Sequence, residues 1–203
     1  MTRTFFAILV LAFNVNLAYA IKVGQPAPNF SVADATGKTR SLKDFKDKYV
    51  VLEWYNKDCP FVRKHYDSKN MQKTQADAKK RGVEWLQVIS SAPGSQGFLE
   101  PKEAVAQAKK EGATTIVATL LDKDGKMGKD YEARTTPHMY VIDKKGTLVY
   151  MGAIDSISSA DEEDIAKATN YVKAALDESM AGKPVTVAST TAYGCSVKYA
   201  AKP

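Results

Sequence analysis

The sequence predicts a single α/β domain built on a mixed β-sheet. Three observations lead there. Runs of β-branched and aromatic residues alternate with longer amphipathic runs along the chain. Turn signals rather than long linkers separate them, and no repeat interrupts the order. With 203 residues, 44% of them hydrophobic and 26% charged, the chain is long enough to bury one sizeable core and too apolar to stay disordered.

Residues 1–20 read as an export signal. Arg3 supplies a positive start, Phe5 to Phe13 an apolar run too short to span a bilayer, and Ala18-Tyr19-Ala20 a small-x-small cleavage pattern. A buried N-terminal element or an uncleaved anchor is the alternative. The expectation is a mature chain that begins at Ile21, is periplasmic or secreted, and has no later run of membrane length. In an oxidising compartment its two cysteines, Cys59 and Cys195, can form a disulfide.

The elements follow in order. Residues 29–33 and 38–41 flank a Thr36-Gly37 turn and predict a small hairpin, and 42–45 a single helical turn. Tyr49-Val50-Val51-Leu52-Glu53-Trp54 has the composition of a buried central strand. Residues 61–81 contain no Pro or Gly and stop at Gly82, which predicts one long helix. A strand over 83–90, a helix over 101–110 ending at Gly112, and a strand over 115–121 come next. Residues 140–143 and 147–151 straddle Lys144-Lys145-Gly146 as a second hairpin. Residues 161–180 predict a helix capped by Ser158 or Ser159, with acids in its first turn. The domain is thus expected over 21–181, and 182–203 as an irregular C-terminal tail carrying the second cysteine.

The net charge of +6 is scattered rather than gathered into a stripe, and no recognition motif accompanies the ten tyrosines, so nucleic acid is not an expected partner. The chemistry concentrates where the central strand meets the long helix. Pro60 suits the first helical position, which puts Cys59 at the N-cap, beside unpaired backbone amides and the positive end of the helix dipole. Both favour thiolate. Arg63, four residues on, can add positive charge from the same face, while Asp58 opposes it. The competing reading is an inert buried cysteine.

These residues resemble a thioredoxin-fold redoxin, a peroxiredoxin-like member of the alkyl hydroperoxide reductase/thiol-specific antioxidant superfamily. Gly24-Gln25-Pro26-Ala27-Pro28-Asn29-Phe30 is similar to the family's opening, and Cys59-Pro60 sits where the family has its nucleophile. Thr136-Pro137 ahead of Tyr140-Val141-Ile142-Asp143 resembles the segment whose proline is cis and faces that cysteine. Gly194-Cys195-Ser196-Val197-Lys198-Tyr199 resembles a C-terminal Gly-Cys-Ser motif of such proteins. The resemblance implies a thioredoxin-like fold, with a mixed sheet flanked by helices, and a thiol oxidoreductase needing neither organic cofactor nor metal. Its substrate would be a hydroperoxide or a protein disulfide, its electron donor a thiol. Thr136 and Pro137 would line a groove that accepts an extended substrate backbone.

The departures are specific. Val62 replaces the second cysteine of a Cys-x-x-Cys pair, so exchange within that motif is excluded. Leu52 and Asn56 stand where authentic peroxiredoxins have Pro and Thr, and only Arg63 or Arg134 is available to hold a peroxide. Asn56 can donate one hydrogen bond to an oxygen. Cys195 is either a resolving thiol that attacks oxidised Cys59 or one end of a permanent staple. Cys59 with His65, His138 and nearby methionines also admits a non-catalytic binding protein or copper carrier, although no regular ligand spacing supports it. His138, next to Pro137, is expected to pack or hydrogen-bond near the site. Trp54 either shields the thiolate or fills the core.

Overall fold

The computed structural model describes residues 21–201; the expected export signal lies outside them. Its centre is a five-stranded sheet made of β3 (Val50–Trp54), β4 (Glu84–Ile89), β5 (Ala118–Leu121), β7 (His138–Ile142) and β8 (Leu148–Gly152), in the order β5-β4-β3-β7-β8. β3, β4 and β5 run parallel, whereas β7 and β8 are antiparallel to their neighbours. The sheet is mixed, as expected. Every residue of β3 is buried, which explains its unbroken apolar character, with Glu53 as the one charged exception.

Both crossovers between the parallel strands lie on one face. α1 (Pro60–Asp67), α2 (Asn70–Lys80), α3 (Pro101–Glu111) and α5 (Tyr171–Met180) pack there around Val51, Tyr55, Cys59, Trp85, Met139 and Tyr150. The opposite face is covered by a hairpin of β1 (Ser31–Ala33) and β2 (Thr39–Ser41), a 3₁₀ turn at Leu42–Phe45, and the short α4 (Lys126–Asp130). Phe30, Phe45, Leu52, Trp54, Met127, Tyr131 and Tyr140 fill that side.

Two predicted helices are each broken in two. The run 61–81 divides at Ser68-Lys69: the Ser68 hydroxyl donates to the Lys64 carbonyl (2.6 Å), and Lys69 turns left-handed with φ 64°. The run 161–180 divides into a 3₁₀ turn at Glu162–Ala166 and α5. Its caps are Asp161 and Asn170, not Ser158 or Ser159; Ser159 bonds to Asp164 instead. α4 was not legible, because a buried aspartate, Asp122, caps it by accepting from the amides of Met127 and Gly128. The tail also departs from expectation. Residues Cys195–Ser196 form β9, paired antiparallel with β6 (Thr135–Thr136).

Candidate active site

Cys59 is delivered by the turn after β3. The Asn56 side-chain oxygen accepts from the Asp58 amide (2.9 Å), and the Asn56 carbonyl accepts from the Cys59 amide (3.1 Å). Cys59 then N-caps α1 in an extended conformation, with Pro60 in the first turn, as the sequence predicts. Its sulfur, however, makes no bond to the amides that open the helix. It donates instead to the Thr136 carbonyl (3.0 Å) and accepts from the Cys195 amide (3.4 Å). Cys59 is 0% exposed.

The partner segment approaches along a short ladder. Thr136 faces Cys195 and Thr135 faces Ser196 in the β6–β9 register, and the Val197 amide donates to the Arg134 carbonyl (3.0 Å). The Thr136–Pro137 bond is cis. Gly194 has φ 129°, and a side chain there would run into the Thr136 carbonyl, so only glycine admits this close approach. Both cysteines are free thiols. Burial first, then the neighbouring Cys59 sulfur, push the Cys195 thiol up to about 12.

The structure therefore brings Cys59, Cys195, Thr136 and Pro137 together and turns three other predicted residues away. Arg63 is directed to Glu111 (2.5 Å) and Asp67 rather than to the sulfur. Glu111 also accepts from the Tyr55 hydroxyl (2.8 Å) and Gln107 (2.8 Å), so the guanidinium is one donor of a separate network. Trp54 is buried on the sheet face opposite the Cys59 cluster, in a three-ring cluster with Tyr131 and Tyr140, with Nε1 donating to Ser90 (3.0 Å). It fills the core. Its register partner His138 shares that face and lies against the Tyr140 ring, 4.6 Å between centroids. Burial pushes the His138 imidazole down to about 4, so it stays neutral at ordinary pH. Asn56 remains in the active-site turn, and its buried Nδ2 has no partner among the described residues.

Sequence reasoning missed the groups that steer the tail. Tyr193 donates to Asp155, and Asp155 lies 3.5 Å from the fully buried ammonium of Lys64. An aromatic residue two positions before a tail cysteine was the only legible signal; nothing in the sequence pairs Asp155 with Lys64.

Residues 23–151 match the model of the AhpC/TSA family. The chain belongs to the AhpC/TSA family. It is 30% identical over 129 residues to the thiol-disulfide oxidoreductase ResA of Bacillus thuringiensis, covering 64% of this chain and 68% of that one. It is also 30% identical over 177 residues to a candidate peroxiredoxin, ycf42, of Porphyra purpurea, covering 78% of this chain and 83% of the relative. The thioredoxin domain of a thiol-disulfide oxidoreductase from Bacteroides vulgatus matches in fold, with TM-score 0.52, 21% identity, and coverage of 73% of this chain and 97% of that domain. The fold is thioredoxin-like, and the chain is a thiol oxidoreductase of redoxin type. No helix among the described residues is long and apolar enough to cross a membrane.

Proposed function

We propose that this protein is an exported thiol–disulfide oxidoreductase that acts on protein disulfides, with Cys59 as nucleophile and Cys195 as resolving thiol. The observation that carries the reading is the 3.4 Å approach of the Cys195 amide to the Cys59 sulfur while both thiols are free. In the first step the Cys59 sulfur attacks a substrate disulfide. The substrate S–S bond breaks, a Cys59–substrate bond forms, and the leaving sulfur takes up a proton. Cys195 then attacks the Cys59 sulfur, giving a Cys59–Cys195 disulfide and a substrate dithiol. Two electrons and two protons from a thiol donor restore the starting state.

Two features favour a disulfide over a hydroperoxide. Neither available guanidinium is aimed at Cys59: Arg63 is engaged by Asp67 and Glu111, and the Arg134 side chain is 80% exposed beside Glu132. The Thr136 edge already carries an extended, cysteine-bearing strand, which is the shape of a reduced protein substrate. Export is supported by the apolar run and the Ala18-Tyr19-Ala20 pattern of the first twenty residues.

The test compares turnover of a disulfide-bonded protein and of hydrogen peroxide, with dithiothreitol as electron donor. Disulfide reduction is expected to be the faster reaction, and Cys59→Ser to abolish it. Preferential peroxide turnover would reassign the substrate, and a Cys59→Ser protein of undiminished rate would remove the nucleophile.

A further inference from the structure

The tail that carries Cys195 is gripped on both sides of the cysteine. Upstream, the Thr190 hydroxyl accepts from the Ala153 amide (2.9 Å). Downstream, the Tyr199 hydroxyl donates to the Ala133 carbonyl (2.8 Å). Beside the β6–β9 ladder itself, the nearest tail side chain to bond the domain is Tyr193, two residues before Cys195. Its ring meets Phe61 edge-on, 5.8 Å between centroids, and its hydroxyl donates to Asp155. Asp155 is itself 3% exposed. It is fixed by the Ile157 amide (3.1 Å) and by Lys64, whose buried ammonium also donates to the Ile157 carbonyl (3.3 Å). Nε2 of His65 lies 3.8 Å from the same carboxylate.

An ion pair is an expensive way to fill a core, because desolvation consumes most of the attraction. Here the pair offers something an aliphatic side chain cannot: a fixed carboxylate oxygen for a hydroxyl on the tail. Lys64 and Phe61 also belong to α1, the helix that Cys59 caps, so the grip and the nucleophile share one element.

We propose that Tyr193 and Asp155, backed by Lys64, are positioning residues for the resolving step. They form a latch that keeps Cys195 on Cys59, and an incoming protein disulfide has to lift it to reach Thr136. This rests on the reading of Cys195 as the resolving thiol. Once Cys59 is joined to a leaving group R, the step is Cys59–S–S–R + HS–Cys195 → Cys59–S–S–Cys195 + HS–R. The S–S bond to R breaks, the new one forms, and the thiol proton goes to the departing sulfur. The latch raises the effective concentration of Cys195 at that bond. Losing one hydrogen bond to a charged acceptor should lower this concentration about tenfold.

The experiment uses the full reduced chain, oxidised glutathione as R, and mass spectrometry of quenched samples. Wild type should pass through the Cys59–glutathione adduct to the internal disulfide. Tyr193→Phe should accumulate the adduct, resolve it about tenfold more slowly, and let iodoacetamide reach Cys59 faster in the reduced protein. Asp155→Asn should do the same; if it fails to fold, the single hydroxyl removed in Tyr193→Phe still decides the matter. Wild-type resolution and labelling rates in Tyr193→Phe would overturn the latch. So would amide exchange in β3 that accelerates in step with Cys59 labelling, since that marks general loosening. A wild-type chain that never forms the internal disulfide would instead overturn the function proposed above.

Discussion

The main-chain amide of Cys195 points at the sulfur of Cys59 from 3.4 Å, across the two-residue ladder that joins β9 to β6. Cys59 is buried with the chain's own C-terminal segment laid against it. A disulfide between Cys59 and Cys195 would join two segments already in contact. Meeting an external substrate asks for the tail to leave. Under the function proposed above, reactivity at Cys59 is governed by how firmly residues 189–199 are held.

Gly194 gives direct access to that quantity. A methyl group at this position would strike the Thr136 carbonyl, which belongs to backbone and cannot yield, and φ 129° is itself unfavourable for any other residue. Gly194→Ala should push β9 off β6 while leaving the five-stranded sheet intact. Iodoacetamide labelling of reduced Cys59 should speed up at least about tenfold, the factor set by losing roughly 1.4 kcal/mol of docking. Labelling as slow as in wild type would mean that the tail does not limit access.

The ion pair behind Tyr193 makes a second prediction. Lys64 and Asp155 are both buried, so removing one charge strands the other. Lys64→Met should lower unfolding stability by about 3–5 kcal/mol, readable as a fall in the denaturant midpoint. Lys64→Met with Asp155→Leu should recover much of that loss yet still resolve glutathione adducts slowly, because the tail hydroxyl has no acceptor. Full recovery of both stability and resolution in the double variant would contradict the positioning role.

The central strand, the helix N-cap at Cys59 and the order of elements were legible because they rest on local signals: an apolar run, a Cys-Pro step, a glycine stop. The helix break at Ser68-Lys69 was not, since no Pro or Gly marks it and the competing bond is a serine hydroxyl turned back on Lys64. Arg63 shows the limit of helical spacing. Four residues put it on the right face, but Glu111 arrives from α3, a partner that spacing cannot reveal. Trp54, left open between shield and core, and His138, expected to pack or hydrogen-bond, show a related limit. Side chains in a strand alternate between faces, and adjacency in sequence to the active-site loop says nothing about which face is taken.

Those reassignments are testable at the thiol. Arg63→Met should leave the iodoacetamide rate of Cys59 unchanged, because the guanidinium is spent on Asp67 and Glu111. Trp54→Phe removes the Ser90 bond and part of the ring cluster without approaching the sulfur. It should cost about 1–3 kcal/mol of stability with no change in the labelling rate, since large core losses come from cavities and unpaired polar groups. A change in Cys59 labelling with either variant would return that residue to the active site.

Glu53 gives the last prediction, through pH. The carboxyl sits in the core beneath α1 and α2, accepting from Tyr66 (2.8 Å), Gln75 (3.1 Å) and Trp85 (2.8 Å). Burial outweighs those bonds and, with a contribution from Glu111, pushes it up to about 7 from 4.5. Below pH 4.5 the group is protonated in both folded and unfolded chains and does not alter stability. Between about 4.5 and 7 the unfolded chain has released the proton and the folded chain still holds it, so stability falls as pH rises. Above that window the loss is complete, at about 3 kcal/mol for a shift of this size. His65 and His138, both pushed down to about 4 by burial, oppose this with the other sign, since the unfolded chain gains protons there as pH falls. They remain in Glu53→Gln and cancel in the comparison. The difference in unfolding free energy between Glu53→Gln and wild type should therefore move in the variant's favour from pH 4.5 to pH 8, measured by urea denaturation. Parallel stability curves for the two proteins would mean that Glu53 is ionised in the folded core throughout.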